Sequence, residues 1–370
     1  MGAKLCHGCV TYLSSSILFT RRSEDMERFD SIEWVPNLPV DIGLECLTRL
    51  PYSAHSAASG VCRKWRGLLQ SPEFYIHRWR LGYTHKVACL VQAFPPQNLP
   101  GDGSKSRGSP SYAVTVFDPV SGSWERLPPV PRYPCGLPLF CQIAGCEGKL
   151  VVMGGWDPQS YDPVTDVFVY DFTTQEWRAG APMPSKRSFF AAAGVGGLVY
   201  VAGGHDENKN ALSSAWAYDP RRDEWAGLPP LSQARDECGG LAAADSGEFW
   251  VVSGYTTERQ GAFEGSAEIY NPASGEWRMV DGAWETGRCP RPSTGVARDG
   301  QLVSWAESNS EIRVGVCGIH LGELTLLTLS EYQGAHQGFS TLGGQSGKLT
   351  KISVPEEFSG FVQSGCCVEI

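Results

Sequence analysis

A small α-helical domain followed by an all-β propeller is the architecture this sequence predicts, on three observations. Between Trp34 and Phe74 apolar residues recur at intervals of three and four, the spacing of short amphipathic helices. From Lys86 onward the chain turns to short β-branched runs broken by glycine, proline and aromatic residues, as expected of strands bounded by turns. Within that second region an aromatic residue followed by Asp or Asn precedes a tryptophan at a fixed offset, four times over, with a period near 50 residues.

Composition sets the outer bounds on function. The 370 residues carry a formal charge of −9 and a pI near 5.4, which offers no basic face for phosphate and points away from nucleic acid. Thirteen cysteines stand without a framework spacing, and no secretory signal is expected, since the apolar run Ile17 to Phe19 is too short for a signal core. They are expected as reduced thiols of an intracellular protein of the cytoplasm or nucleus. No run of 18 apolar residues occurs, so no membrane span is expected.

Residues 1–33 are expected to be a disordered extension. Gly2 begins a near-match to a myristoylation motif, but Cys6 stands where Ser or Thr is wanted. Cys6 and Cys9 have zinc-like spacing without a second ligand pair nearby, so no metal is expected there. Met26 lies just ahead of the helical region, where a second translation start would leave every later element intact.

In residues 34–74, Pro36, Leu38 and Pro39 lead into Ile42, Cys46, Leu47 and Leu50, one face of a short helix. Pro39 suits the first helical position, where no amide donor is needed, and Pro51 ends the helix. After the small-residue segment SAHSAASG, helical spacing resumes at Val61, Cys62, Trp65, Leu68 and Leu69. A piece of about 40 residues cannot bury a full core alone, so an apolar partner surface is expected. Gly43 and Gly60 stand where helix formers would, at a cost of up to about 1 kcal/mol each.

The order Leu38-Pro39, Leu47, Leu50-Pro51, Val61-Cys62-Arg63-Lys64-Trp65-Arg66 and Pro72-Glu73-Phe74 resembles the F-box. That resemblance implies docking onto a Skp-type adaptor and, through it, a cullin of a ubiquitin ligase. The implied contact set is Leu38, Pro39, Ile42, Leu47, Leu50, Pro51, Val61, Cys62 and Trp65. Residues 75–85 are expected to form a short helical connector.

The repeat occupies residues 86–370. Phe117-Asp118, Tyr170-Asp171, Tyr218-Asp219 and Tyr270-Asn271 are followed, seven residues after the aromatic, by Trp124, Trp177, Trp225 and Trp277. Those tryptophans are 53, 48 and 52 residues apart. Three units hold a strand ending in Gly154-Gly155, Gly203-Gly204 or Ser253-Gly254. Four strands per unit at this period are the signature of a propeller blade, and the pattern resembles the kelch repeat. Each tryptophan is expected to open an outermost strand and cover the seam against the neighbouring blade. The glycines are expected to let backbone pass the next blade closely.

Three blades are clear, at about 135–182, 188–230 and 235–285, and a first unit near 86–130 lacks an innermost strand. The terminal GFVQSGCCVEI is apolar enough to supply that strand and close the ring, removing exposed edges. After Arg288 the pattern decays. RVGVCGIHLGELTLLTLSEY can be laid over FFAAAGVGGLVYVAGGHDEN, and GVARDGQLVSWAES reads as a reduced blade. Six blades are therefore expected, with five as the alternative. Cys367-Val368-Glu369-Ile370 fits a prenylation box only superficially and is assigned to the closing strand. The ending EEFSGFVQSGCCVEI is similar to one subgroup of plant F-box/kelch proteins. That likeness implies turnover of hormone-response transcription regulators and phenylpropanoid enzymes.

In a four-stranded up-and-down blade, the loop from second to third strand and the link to the next blade emerge on one face. Here that face would hold Trp156, Tyr161, His205, Asp206, Tyr255 and Arg259, interleaved with Arg187, Arg235, Arg288 and Arg291, residue types enriched at binding hot spots. No phosphate loop, nucleophile elbow or metal-binding helix motif is found. The expectation is thus a non-catalytic adaptor without cofactors that holds a protein substrate for ubiquitination and proteasomal degradation. A non-degradative kelch scaffold is the alternative. A kelch-type copper oxidase is more distant, because the seven histidines, at 7, 55, 77, 85, 205, 320 and 336, are dispersed.

Overall fold

The structure is a computed structural model, and it describes residues 32–94, 111–243, 246–290, 294–296, 302–304, 317–329, 337–343 and 347–370. Between Thr84 and His85 the chain divides into two compact units.

Among its described residues the first unit has four helices: α1 (Val40–Thr48), α2 (Tyr52–Ser59), α3 (Arg63–Leu69) and α4 (Pro72–Arg80). Pro39 and Pro51 stand at the cap positions of α1 and α2, one residue ahead of the helical backbone. The small-residue segment SAHSAASG is itself most of α2, since alanine favours helix and Pro51 starts it. Ser71 caps α4 by accepting the Phe74 amide at 3.2 Å, and Pro72 follows at N1. That cap makes one helix of residues on both sides of the expected boundary at 74.

Trp34, Leu44, Leu47, Ala58, Leu68, Leu69 and Phe74 form the core of this unit. The Trp65 indole N–H donates to the Trp34 carbonyl at 2.7 Å, tying α3 to the segment before α1. Gly43 is no weak point: a Cβ there would stand 3.1 Å from the Trp34 Cβ, so its absence lets that tryptophan lie against α1. Gly60 falls outside the helical interior, as the C-cap of α2. Arg78 reaches back from α4 and donates to the carbonyls of Thr48, Leu50 and Tyr83, satisfying groups at the end of α1.

The second unit contains five four-stranded antiparallel blades. The first consists of Lys86–Ala93, Tyr112–Asp118 and Ser123–Arg126, with Val362–Glu369 as its innermost strand. Backbone bonds between His85 and Ile370, at 2.9 and 2.8 Å, extend this closure to the last residue. The second blade runs from Gln142–Cys146 to Glu176–Gly180, the third from Ala191–Val195 to Glu224–Leu228, and the fourth from Gly239–Ala243 to Glu276–Val280. The fifth runs from Gly318–His320 to Leu349–Ile352.

Among the described residues the complete blades number five, the alternative to the expected six. At the place of the reduced blade stands a two-stranded sheet, Thr294–Val296 with Leu302–Ser304, whose first strand lies beside the inner strands on either side. This segment has no aromatic-Asp element with a tryptophan seven residues on.

The repeat tryptophans cover the seams as expected. Trp177, Trp225 and Trp277 donate their indole N–H to the carbonyls of Pro128, Ala181 and Pro229, which leave the outermost strand of the preceding blade. Trp124 packs on Phe339 and Phe358, across the seam to the last blade. Inner strands meet through glycines. A Cβ on Gly145 would collide with the Cys367 carbonyl, and one on Gly194 with the Gly145 carbonyl. Cys366 and Cys367 belong to the closing strand, where burial pushes the Cys367 thiol up to about 11.

Candidate binding surfaces

On the helical unit the expected contact residues separate into two groups. Leu38, Ile42 and Val61 are 38%, 46% and 63% exposed, and Pro39, Pro51 and Cys62 are exposed beside them in sequence. Leu47 lies instead in the core, while Leu50 and Trp65 are half-buried against it. Leu38, Ile42 and Val61 are thus exposed apolar residues of a small unit, whereas Leu47 packs in its core.

In the propeller, three successive blades place equivalent residues at one mouth. Trp156, His205 and Tyr255 each follow a glycine of the repeat and form isolated β-bridges to Leu139, Ser188 and Asp236 of the inter-blade links. The two kinds of loop thus meet on one face. The glycines are required here: a Cβ on Gly155 would stand 2.5 Å from the Leu139 carbonyl, and one on Gly204 2.5 Å from that of Ser188.

Hydrogen bonds cross these blades in sequence. The Trp156 indole N–H donates to Ser188 Oγ at 2.9 Å, and Ser188 Oγ lies 2.8 Å from His205 Nε2. His205 Nδ1 meets both carboxylate oxygens of Asp236 at 2.9 Å. The Tyr255 hydroxyl donates to Glu237 Oε1 at 3.0 Å, and burial with the nearby Asp236 and Glu237 charges raises its pKa. Serine, histidine and aspartate stand in the order of a hydrolytic triad. Ser188 is fully buried and already accepts from Trp156, so the arrangement serves to lock three blades together.

Beside this chain of bonds lies an aromatic platform. Phe140 and Phe189 stack at 4.7 Å, Trp156 meets both edge-on, and Phe189 stacks on His205 at 5.4 Å. Phe140, Phe189 and Glu237 occupy the same place in successive blades, and all three hold left-handed backbone, with φ of 58°, 56° and 49°. Bulky residues adopt that conformation only under constraint, and such strain concentrates at functional sites.

The remaining rim expectations divide. Arg187 and Arg235 are buried, not on the rim, because each is consumed by the blades themselves. Arg187 donates to the carbonyls of Gly203 and Ser214, and burial brings its pKa down to about 10. Arg235 bonds the Ser253 carbonyl at 2.8 Å and Glu268 at 3.0 Å. Tyr255 and His205 are buried, so they support the mouth from behind. Tyr161 is exposed; Asp206 accepts from the Asn208 and Asn210 amides; Arg259 pairs with Glu264 and Arg288 with Glu285. Arg291 lies outside the described residues. Ser188, Asp236, Phe140, Phe189 and Glu237 were not anticipated, although Ser188-Phe189 and Asp236-Glu237 follow Arg187 and Arg235 at equal offsets.

A helical unit with exposed apolar residues, joined to a propeller whose longer loops gather on one face, defines a protein that binds through two surfaces. The F-box domain family model matches residues 35–77, and the KLHDC2/KLHL20/DRC7 Kelch-repeats domain model matches residues 100–299. The chain belongs to the F-box/kelch-repeat family. Among its relatives in Arabidopsis thaliana, F-box/kelch-repeat protein At2g44130 is 40% identical over 274 residues, which is 68% of this chain and 66% of the relative. F-box/kelch-repeat protein SKIP20 is 38% identical over 283 residues, 68% of this chain and 67% of the relative. F-box/kelch-repeat protein At1g15670 is 33% identical over 362 residues, 92% of this chain and all of the relative.

Proposed function

We propose that this chain is the substrate-recognition subunit of a Skp–cullin–F-box ubiquitin ligase, acting in the cytoplasm or nucleus. The observation that carries the proposal is the exposure of Leu38, Ile42 and Val61 on the unit that matches the F-box. These residues dock on the Skp-type adaptor, and the propeller holds a target protein for ubiquitination and proteasomal degradation. The chain performs no covalent step. Its contribution is effective concentration, bringing a target lysine close to a conjugating enzyme carried elsewhere in the assembly. The similarity of its C-terminal segment to one plant subgroup supports transcription regulators or phenylpropanoid enzymes as targets.

Co-purification of the full chain with a Skp-type subunit and cullin tests this. The wild type is expected to retain both, and Leu38→Ser with Pro39→Ala to lose both while the propeller stays folded. A wild-type chain that retains neither overturns the proposal.

A further inference from the structure

The burial of Arg187 and Arg235 changes the electrostatics of the propeller mouth. With those two guanidinium groups turned into the blades, the rim is poorer in positive charge than its sequence suggests. Arg132, Lys186, Arg259 and Arg288 each pair with a carboxylate, which leaves Lys209 among the described rim cations. Exposed or half-exposed carboxylates of Asp157, Asp206 and Glu258 stand on the loops above the mouth. Two backbone amides, from Ser160 and Gln159, hold the Asp157 carboxyl below the usual range, so it is ionised at neutral pH.

On the inter-blade links of the same mouth stands the stacked pair Phe140 and Phe189, half-buried, with Glu237 at the equivalent position of the next blade. Phe189 is stacked between Phe140 and His205, so the pair offers a ligand apolar surface for an aliphatic stem and no open face of Phe189 for a cation. Glu237 uses Oε1 to accept from Tyr255, and a carboxylate has further lone pairs to offer a donor. The left-handed backbone at all three positions keeps these side chains at the mouth at an energetic cost, and the bonds from Trp156 to Asp236 brace them from beneath.

We propose that the mouth receives a basic side chain of the target protein, its stem across Phe140 and Phe189 and its charged head against the Glu237 carboxylate. This rests on the propeller being the target-binding part of the chain. A lysine or arginine meets both requirements, since each carries an aliphatic stem and a cationic donor. A carboxylate or phosphate would face the carboxylates of the rim.

The test uses the full chain in complex with its Skp-type partner. Its probes are three fluorescent peptide pools with a fixed central arginine, citrulline or glutamate and randomised flanking residues. The arginine pool is expected to bind about tenfold more tightly than the other two, as the loss of an ion pair with a half-buried carboxylate implies. Glu237→Gln, which keeps the acceptor for Tyr255, and Phe189→Ser, which removes the apolar support of the stem, are each expected to weaken it about fivefold. Thermal unfolding of both variants confirms their fold. Equal binding of the three pools, preference for glutamate, or arginine binding unchanged in both folded variants overturns the inference. Such an outcome leaves the adaptor proposal standing if a target is still ubiquitinated. Loss of the Skp-type subunit from the wild-type chain defeats the adaptor proposal, and the same pools applied to the full chain alone still decide this one.

Discussion

Arg235 and Glu268 are an ion pair whose side chains are 0% and 2% exposed, and Glu268 also accepts the Ser232 amide at 2.7 Å. Truncating one member leaves the other charge buried without compensation. Arg235→Met is therefore expected to cost roughly 3–5 kcal/mol, and Arg235→Met with Glu268→Leu less than that single change. Urea midpoints of the two variants check this. A second titratable pair gives a pH signature. Burial raises the Asp118 carboxyl, but hydrogen bonds from His85, the Val120 amide and Ser121 outweigh it and bring the group down to about 2. A carboxyl depressed in the folded chain stabilises it fully above the unfolded pKa near 4, and that stabilisation fades as pH falls through about 2. It is worth on the order of 2 kcal/mol at neutral pH, and His85→Ala is expected to flatten the acid limb of the stability curve. At this scale the sequence was least legible. Arginine ahead of an inner strand suits a rim contact and a carbonyl tie equally. The Ser214 carbonyl that captures Arg187 is 27 residues away, so the outcome is decided by tertiary placement.

α1 presents two faces with different tasks, and substitutions on them should separate. Ile42 is 46% exposed, so Ile42→Ser is expected to leave stability within about 0.5 kcal/mol while lowering affinity for the Skp-type subunit at least about tenfold. Leu47 is 2% exposed in the core, and Leu47→Ala is expected to cost about 2–5 kcal/mol and to weaken docking only through loss of the fold. Thermal melts run beside binding isotherms distinguish the two. The spacing of Ile42, Cys46, Leu47 and Leu50 made this helix readable. α2 was hidden because its serines and alanines carry almost no apolar period; its evidence lay in Pro51 and in alanine's propensity. The seam tryptophans were legible from offset alone. Their hydrogen bonds to Pro128, Ala181 and Pro229 recur because the spacing between a tryptophan and the preceding blade's exit is nearly constant.

For the ring as a whole, closure was readable because Lys86–Ala93 lacked a neighbour and the C-terminal apolar run lacked a place. The number of complete blades was not, because the signal that fixes the outer strands decays after Arg288. Deleting residues 362–370 is expected to bare the inner edge of Lys86–Ala93 and turn a monodisperse chain into an associating one, visible by gel filtration with light scattering. Val362–Glu369 has a further consequence in time. Ala93 and Val362 lie 269 positions apart, so at ribosomal speed the first blade waits roughly 15–55 s for its own inner strand. The helical head leaves the ribosome long before that. Under the proposed function, a message stopped just short of Val362 would thus yield a chain still fit to occupy a Skp-type subunit but with its ring open, a decoy that ties up the ligase and delivers nothing.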